Sequence, residues 1–316
     1  MDNEIHICLA PDNAYAMHAG VTVASVIANA APDDYLHFYI LDGGLTRENK
    51  EKLMRVMTNA VRRGRAAMME FVPVHISDKM PITALPIATF YRLKIPELIK
   101  ADKCLYLDSD IVVLRSLKAL WNTPMNGKTI GLVPDCYEAL KKQKWELDFY
   151  GNAGVLLMNL KRYRRLNGWQ ECLDFCSRAW EKITLGDQDI LNTVFAGDIE
   201  PLDRRWNAHE CAESRTKFKD NKAYIRSLDD PFIVHYIGPQ KPWMSSAPWF
   251  DKTHFYFRYL LQTPWKGQVI RCFWKRYVWD VFHGKKETYV LLFHVKIMKV
   301  KKGRLFILGI PIKRLA

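Results

Sequence analysis

Two carboxylates lie two positions apart at the end of an apolar run, within residues 104–113. In an extended chain, residues i and i+2 point to the same side, so Asp108 and Asp110 can converge on one cation while Ser109 faces away. Carboxylate oxygens are hard ligands that suit Mg²⁺ or Mn²⁺, and such ions commonly hold the phosphates of a substrate. The other interpretation is a solvated Asp-Ser-Asp turn after a strand, and the triplet alone does not decide between the two.

A histidine and a lysine near residue 240 are candidate partners for this cation site. His235 ends an apolar, strand-like run, and its imidazole offers a nitrogen as a third metal ligand. Gly238 permits a close backbone approach, and the ammonium group of Lys241 can neutralise a phosphate. A single histidine at such a position is equally compatible with an ordinary hydrogen-bonded core residue.

Two further polar motifs accompany these groups. Asp187 and Gln188 begin a predicted helix, where acidic side chains in the first turn are favoured by the helix dipole. Asn152 lies at a predicted tight turn that leads into a buried strand. Taken alone, the first motif is an ordinary helix start and the second is an ordinary turn.

The elements that must position these groups follow an α/β pattern. Strands are predicted over residues 5–10, 36–41 and 69–74, with a helix after each of the first two. This β-α-β-α-β alternation implies a mostly parallel sheet with helices on both faces. A Gly-x-Gly-x-x-Gly turn is absent, which excludes the dinucleotide-binding version of such a fold.

The same pattern continues through the middle of the chain. Residues 129–133, 151–159 and 232–236 are predicted strands. The predicted helices comprise a segment over 90–99 broken at Pro96, a short helix over 116–121, one long amphipathic helix over 161–182, and a helix from Asp187.

The positive charge of the chain is confined to its last part. The 316 residues have a net charge of +13, and residues 252–316 contain 15 Lys and Arg against two acids. Residues 1–251 contain 32 residues of each sign, so the body is neutral. We therefore expect a folded body over residues 1–250 and a basic extension over residues 251–316.

Three further features predict a cytoplasmic protein without a spanning helix. The seven cysteines are scattered without a Cys-x-x-Cys pair, which is the pattern of a reducing compartment. The first residues contain no apolar signal core, and no run of 18 apolar residues is present.

The basic extension has an aromatic, amphipathic pattern. Residues 269–282 predict a helix whose apolar stripe consists of Ile270, Phe273, Trp274, Tyr277, Val278 and Val281. Such a helix suits an anionic membrane surface, here as a peripheral protein of the inner membrane. The alternative is a helix packed on the body with a solvated basic face. Further on, apolar and basic residues alternate, and residues 301–303 predict a hairpin turn.

Four motifs in a fixed order resemble those of glycosyltransferase family 8. They are Asp-x-Asp, Asn-Ala-Gly-Val-x-x-x-Asn-Leu, Asp-Gln-Asp-x-Leu-Asn and His-Tyr-x-Gly-x-x-Lys-Pro-Trp. The resemblance covers residues 4–250 and is greatest to bacterial lipopolysaccharide and lipooligosaccharide α-galactosyl- and α-glucosyltransferases. It implies a single α/β nucleotide-sugar-binding domain of the GT-A type over residues 1–250, followed by a membrane-associating region over residues 251–316.

The resemblance also implies a role for each motif residue. Asp108, Asp110 and His235 match the ligands of a divalent metal, with Mn²⁺ as the usual ion and Mg²⁺ as an alternative. The positions that match donor-binding residues are Ala10, Asp12, Asn13 and Tyr15 at the uridine, Arg92, Asn152, Asp187 and Gln188 at the sugar, and Gly238 and Lys241 at the diphosphate. Ser109, between two metal ligands, belongs to the same donor-binding set, and Asp135 matches an acid on the acceptor side.

These roles imply a metal-dependent, retaining transfer of a hexose. The implied donor is UDP-galactose or UDP-glucose, and the implied acceptor is a lipid-linked lipopolysaccharide or lipooligosaccharide core. The resemblance places Gln188 near the anomeric carbon, and its amide is a poor nucleophile. We therefore expect front-face substitution rather than the two-carboxylate chemistry of glycosidases, with Asp187 orienting sugar hydroxyls.

Two other functions remain compatible with the sequence. A glycogenin-like transferase would modify protein and carry its own acceptor tyrosine. A non-catalytic protein that kept the fold would bind a membrane or nucleic acid. The motifs of the body favour a sugar-nucleotide enzyme over this last function and argue against nucleic acid as a partner.

Overall fold

The computed structural model describes residues 4–76, 86–211, 214–244 and 252–268, together with the backbone of five strands between residues 280 and 314.

The first part of the chain forms the predicted β-α-β-α-β unit. Strands β1 (Glu4–Leu9), β2 (Tyr35–Asp42) and β3 (Ala67–Pro73) pair in parallel, because helices α1 (Ala16–Asn29) and α2 (Arg47–Arg62) carry the chain back between them. Alternate residues of the strands face opposite helical layers, so both faces of the sheet are buried.

Four more strands complete a seven-stranded sheet. They are β4 (Lys103–Leu107), β6 (Ile130–Pro134), β7 (Gly151–Asn159) and β8 (Ile199–Pro201), and the sheet order is β3-β2-β1-β4-β7-β6-β8. Strand β7 is antiparallel to both of its neighbours, and the other four pairings are parallel. The predicted mostly parallel α/β sheet is confirmed.

A separate three-stranded sheet brings distant segments to the end of β4. Strand β5 (Ile111–Val113) follows β4 after a short turn and pairs with β10 (Ile233–Tyr236), which also pairs with β9 (Ala208–Glu210). The register places His235 opposite Ile111. A residue more than a hundred positions away is thereby held beside the Asp-Ser-Asp turn.

The remaining helices cover the two faces of the large sheet and the small sheet. The α-helices are α3 (Ile95–Leu98), α4 (Lys118–Trp121), α5 (Glu138–Trp145), α6 (Leu160–Arg165), α7 (Gly168–Ala179), α8 (Asp187–Val194), α9 (Ser214–Lys217), α10 (Lys222–Asp229) and α11 (Thr253–Leu260). Short 3₁₀ helices occupy Ile87–Lys94, Trp180–Lys182 and Arg204–Asn207.

Two predicted helices differ from those in the structure. Pro96 lies in the first turn of α3, directly after a 3₁₀ helix, and does not break a helix. Proline is favoured there because its missing N–H has no partner to lose. The predicted helix over 161–182 is divided into α6 and α7 at Asn167, which has a left-handed φ of 50°. Asparagine tolerates this conformation, and apolar periodicity alone does not reveal it.

Helix α11 and the segment after it belong to the packed body. Their side chains Tyr256 and Trp265 join the buried cluster that α1 forms on one face of the sheet. His18 Nδ1 lies 2.7 Å from the Tyr256 hydroxyl. Gly20 allows the closest approach, because a Cβ atom there would lie 2.6 Å from the Trp265 ring. The boundary at residue 250 stays a prediction, but the described residues 252–268 pack as part of the body.

The basic extension contributes strands to a third, antiparallel sheet. Its members in order are β11 (Asp280–His283), β12 (Glu287–Leu292), β13 (Val295–Lys301), β14 (Arg304–Ile307) and β15 (Ile310–Arg314). Lys301 pairs with Arg304, as the predicted hairpin requires. Most of the predicted amphipathic helix, residues 269–279, lies outside the described part of the chain. The prediction is wrong at the carboxyl end of this helix, because Asp280–His283 is a strand that pairs with β12.

None of the helices in the described ranges combines the length and the apolar character that crossing a bilayer requires.

The packing of α11 predicts a large difference between two neighbouring apolar residues. Trp265 is 8% exposed and Leu261 is 55% exposed. Trp265→Ala should lower the free energy of unfolding by about 3–5 kcal/mol, because it opens a cavity against α1. Leu261→Ala, the matched control, should change it by less than about 0.5 kcal/mol. Urea unfolding measures both values, and equal small effects would mean that this segment is not part of the core.

Candidate functional site

The three predicted metal ligands converge at the end of β4. Asp108 and Asp110 lie in the turn between β4 and β5, and His235 reaches them from β10. His235 Nε2 is 3.2 Å from Asp110 Oδ1 and 3.8 Å from Asp108 Oδ2. The extended conformation assumed for the triplet is wrong, since this segment is a turn. The turn still directs both carboxylates to the same point.

Ser109 does not face away from the site. It lines the same cavity as its two neighbours, and its carbonyl accepts a hydrogen bond of 3.1 Å from the Thr22 hydroxyl. The same hydroxyl is 2.9 Å from the Ile111 carbonyl, so α1 holds both ends of the turn.

The orientation of the His235 ring is set by an asparagine that the sequence analysis missed. His235 Nδ1 lies 2.9 Å from Asn207 Oδ1, and Asn207 Nδ2 donates to Asn152 Oδ1 at 2.8 Å. The second contact fixes which end of the Asn207 amide faces the imidazole. Nδ1 therefore carries the hydrogen and donates it, which leaves the Nε2 lone pair directed at the two carboxylates.

The donor set fits a divalent cation. Two carboxylates and one imidazole lone pair lie within 4.8 Å of one another, and both ligand types suit Mn²⁺. Burial opposes ionisation of Asp110, but the Lys241 ammonium holds the pKa of that carboxyl well below its usual range. Lys241 Nζ lies 2.6 Å from Asp110 Oδ2 and 2.6 Å from the Tyr236 carbonyl. Asp110 is therefore a charged ligand at neutral pH.

Gly154 lets β7 approach the three ligands closely. The Asp108 N–H donates to the Gly154 carbonyl at 2.8 Å. A Cβ atom on Gly154 would lie 2.7 Å from His235 Nδ1 and 2.9 Å from Asp108 Oδ2. Only glycine leaves room at this position for both side chains.

Arg92 is buried between two carboxylates of the cavity wall. Its guanidinium lies 2.9 Å from Asp108 and 3.0 Å from Asp187, and 4.4 Å from the centre of the Tyr106 ring. Burial acts to lower the pKa of Arg92, but the carboxylates of Asp108 and Asp187 raise it above its usual value. The positive charge is thus permanent, and it holds two cavity carboxylates in place.

Asp187 lies in the cavity wall beside Arg92. Its Oδ2 atom is buried 3.0 Å from Arg92 Nε, but the Nε–H itself donates to the Thr89 carbonyl. Burial raises the pKa of Asp187 to about 7, with the Asp108 carboxylate acting in the same direction and Arg92 against it. The ion pair with Arg92 therefore holds this carboxyl group in the wall of the cavity.

Gln188 is held by hydrogen bonds on both ends of its amide. Its Oε1 accepts from Asn152 Nδ2 at 3.0 Å and from the Ala153 N–H at 3.2 Å. Its Nε2 donates to Asp135 Oδ2 at 3.2 Å, and Asn152 Nδ2 reaches the same oxygen at 3.4 Å. The amide oxygen is thus already engaged by two donors.

Two residues of the Asp-Gln-Asp-x-Leu-Asn motif position the helix that carries Asp187 and Gln188. Asp189 accepts hydrogen bonds from Trp145 Nε1, the Tyr150 hydroxyl and the N–H groups of Thr184 and Leu185. Asn192 Oδ1 accepts from the Gly151 N–H at 2.6 Å, and Asn192 Nδ2 donates to the carbonyl of the same glycine at 2.8 Å. The motif therefore both lines the cavity and fastens α8 to β7.

The residues predicted to bind the metal and the donor surround one cavity of about 400 Å³, with one exception. The predicted residues in its wall are Ala10, Asp12, Tyr15, Arg92, Asp108, Ser109, Asp110, Asn152, Asp187, Gln188, His235, Gly238 and Lys241. Asn13 lines a smaller neighbouring cavity. Its side chain donates to the Gly44 carbonyl and accepts from the Thr46 N–H, so it joins two loops.

A second cavity of about 520 Å³ adjoins the first. The residues common to both walls are Asn152, Leu185, Gln188, Ile237 and Gly238. The second cavity is also lined by Asp135, Tyr137 and Lys141. Asp135 forms an ion pair of 2.8 Å with Lys141. Two ligands bound in these cavities would meet beside Gln188.

Relatives of the chain are found among known proteins. The model of glycosyl transferase family 8 matches residues 6–247. The general stress protein A of Bacillus subtilis is 28% identical over 284 residues, which cover 84% of this chain and 96% of that protein. The lipopolysaccharide 1,2-glucosyltransferase of Escherichia coli is 27% identical over 302 residues, which cover 90% of this chain and 84% of that protein.

A solved structure extends the likeness to three dimensions. The crystal structure of the galactosyltransferase LgtC in complex with donor and acceptor sugar analogs has a TM-score of 0.71 at 28% sequence identity. The match covers 84% of this chain and 100% of that one. The chain belongs to glycosyl transferase family 8, and it is a hexosyltransferase with the GT-A type of fold that its motifs predicted.

The close approach of β7 makes Gly154 a sensitive position. Gly154→Ala should displace His235 and Asp108, and we expect at least about tenfold weaker Mn²⁺ binding in titration calorimetry. Gly267→Ala is the matched control, because a Cβ atom there meets open space. Thermal unfolding should show that both variants fold. Unchanged Mn²⁺ affinity in Gly154→Ala would contradict the role given to the three ligands.

Proposed function

We propose that this chain is a metal-dependent, retaining transferase that moves galactose or glucose from a UDP-sugar to a lipopolysaccharide or lipooligosaccharide core. The observation that carries the proposal is the convergence of Asp108, Asp110 and His235 in the wall of a cavity that also contains the other donor-binding candidates except Asn13. The names of the Escherichia coli relative and of the solved galactosyltransferase support the substrate class.

Asp108, Asp110 and His235 would hold the cation, Mn²⁺ or Mg²⁺. When bound, the cation supplies positive charge that stabilises the diphosphate leaving group. Lys241 adds a second positive charge beside Asp110, at 2.6 Å from its carboxylate. A diphosphate stabilised in this way needs no protonating carboxylic acid, in contrast to the leaving group of a glycosidase.

The residues of α8 would orient the sugar and decide the stereochemistry. Asp187, which lies in the cavity wall, would accept a hydrogen bond from a sugar hydroxyl through its carboxyl group. Gln188 is an amide whose oxygen already accepts two hydrogen bonds, which makes it a poor nucleophile. We therefore infer front-face attack by the acceptor hydroxyl, with its proton passing to a phosphate oxygen of the leaving group.

The second cavity would hold the acceptor. Its wall combines the Asp135 carboxylate, the Lys141 ammonium and the Tyr137 ring, which together can bind the polar edges and the apolar face of a saccharide. Because it meets the donor cavity at Gln188, an acceptor hydroxyl there would lie beside the donor sugar.

The proposed reaction is tested with a screen of UDP-sugars and purified core oligosaccharide. Asp108→Ala, Asp110→Ala and His235→Ala should each lower kcat by at least about a hundredfold after chelator treatment and return of Mn²⁺. Asp102→Ala removes a carboxylate whose side chain is 70% exposed and serves as the control. Full activity of any of the three variants in chelator-treated buffer would contradict the metal requirement.

The same reaction tests whether the configuration at the anomeric carbon is retained and whether the enzyme itself is the acceptor. Proton NMR of the first product should show an α-linkage, and a β-linkage from the α-configured donor would exclude retention. Intact-mass analysis should show an unmodified enzyme, whereas addition of hexose to the chain would indicate a glycogenin-like transferase.

We further propose that the basic extension binds the cytoplasmic face of the inner membrane. Residues 269–316, beyond the packed body, contain 12 Lys and Arg against two acids. Each basic residue near an anionic surface contributes about 1 kcal/mol, and the aromatic residues add a part that salt does not screen.

Vesicle sedimentation tests this attachment. The full chain should bind anionic vesicles more strongly than neutral ones, with attachment that weakens in salt but does not vanish. A chain that ends at Gln268 retains α11 and Trp265, and it should hydrolyse UDP-sugar without binding vesicles. Equal binding of both forms would mean that the extension does not contact the membrane.

A further inference from the structure

A second group of possible metal ligands lies at the amino-terminal end of the large sheet. Glu4 and His6 lie on one face of β1, and the register of the parallel strands places His37 opposite His6 on β2. Tyr39 follows on the same face of β2, and Glu70 lies opposite it on β3. None of these five residues belongs to the four sequence motifs.

This amino-terminal cluster is separate from the catalytic site. The catalytic cavity begins after the carboxyl end of β1, at Ala10, and none of the five cluster residues lines it. The cluster is partly exposed to solvent. The His37 side chain is 10% exposed and the Glu70 side chain is 48% exposed. A small ion from solvent therefore has access to it.

The distances between the ligand atoms suit one small cation. Glu4 Oε1 lies 3.1 Å from His37 Nδ1 and 4.0 Å from His6 Nδ1. The three atoms all lie within 4.8 Å of one another. Ligands around a tetrahedral Zn²⁺ ion are roughly 3.4 Å apart, given bond lengths near 2.0–2.1 Å. A small contraction of the cluster would therefore place all three on one ion.

The hydrogen bonds of His37 leave a lone pair directed at a carboxylate. His37 Nε2 lies 2.7 Å from Glu70 Oε1, so this nitrogen carries a hydrogen and donates it. In the neutral ring, Nδ1 is then an acceptor that faces Glu4 Oε1, which is also an acceptor. Such a contact is favourable only with a metal cation or a proton between the two atoms, and a carboxylate behind the histidine is typical of metal sites.

The Tyr39 hydroxyl cannot satisfy both imidazoles. It lies 3.1 Å from His6 Nδ1 and 3.2 Å from His37 Nδ1, but it has one hydrogen to donate. At least one of the two Nδ1 atoms therefore receives no hydrogen from Tyr39.

We propose that Glu4, His6 and His37 bind a Zn²⁺ ion, with Glu70 orienting the His37 ring from behind. Two imidazoles favour a late first-row metal such as Zn²⁺, whereas the two-carboxylate catalytic site suits harder ions. A bound ion would join β1 to β2 at the start of the sheet and so stabilise the first strand of the chain. The alternative occupant is a proton, which would make His37 an imidazolium that bridges Glu4 and Glu70.

The experiment separates this site from the catalytic one by using the full chain with Asp108→Ala and Asp110→Ala. After chelator treatment and dialysis against Zn²⁺, elemental mass spectrometry should find about one Zn²⁺ per chain. X-ray absorption should show two imidazole ligands. Adding His37→Gln should remove the zinc, and adding His75→Gln, at an exposed histidine outside the cluster, should leave it. Adding Glu70→Gln should weaken the affinity about 10- to 100-fold.

Three results would overturn the proposal: no zinc in the double variant, zinc that persists unchanged with His37→Gln, or an absorption spectrum without imidazole. If His37→Gln fails to fold by circular dichroism, His6→Gln makes the same test at a more exposed ligand. Zinc should also raise the melting temperature of the double variant but not that of the zinc-free variant. A rise in both would place the ion elsewhere.

Discussion

The donor site depends on two ion pairs at the end of β4, in which each carboxylate has a cationic partner. Arg92 holds Asp108 from one side, and Lys241 holds Asp110 from the other. Removing one member of a buried ion pair commonly costs about 3–5 kcal/mol, because the remaining charge loses its partner. Both carboxylates are therefore held in position before any ligand arrives. A cation that approaches Asp110 has to share or replace its contact with Lys241.

The sequence predicted which residues gather around the cavity better than how they are held there. The motifs identified the residues of the cavity because each motif is local in the chain. Asn207 was missed because its contacts with His235 and Asn152 join segments that are distant in sequence and belong to no motif. The roles of Asp189 and Asn192 were missed for a related reason, since a polar residue in a motif can fasten the backbone instead of contacting a ligand.

The fold shows a similar division between local pattern and long-range packing. Strand alternation predicted the sheet correctly, but apolar periodicity continued through Asn167, where a left-handed residue ends α6. Charge composition changes near residue 250, whereas apolar packing against α1 continues to Trp265. Composition detects where solvent-exposed charges accumulate, and it does not detect which aromatic residues fill a groove beside Gly20.

The amide of Asn152 has a consequence for how substrates are recognised. Its oxygen accepts hydrogen bonds from Asn207 and Gly154, and its nitrogen donates to Gln188 and Asp135. An amide side chain has two acceptor and two donor positions, so all four are filled within the protein. A substrate can gain a hydrogen bond from Asn152 only by displacing one of these partners. A substrate that binds Asn152 therefore exchanges one hydrogen bond for another. The net gain in binding free energy is smaller than from a hydrogen bond to a group without a partner.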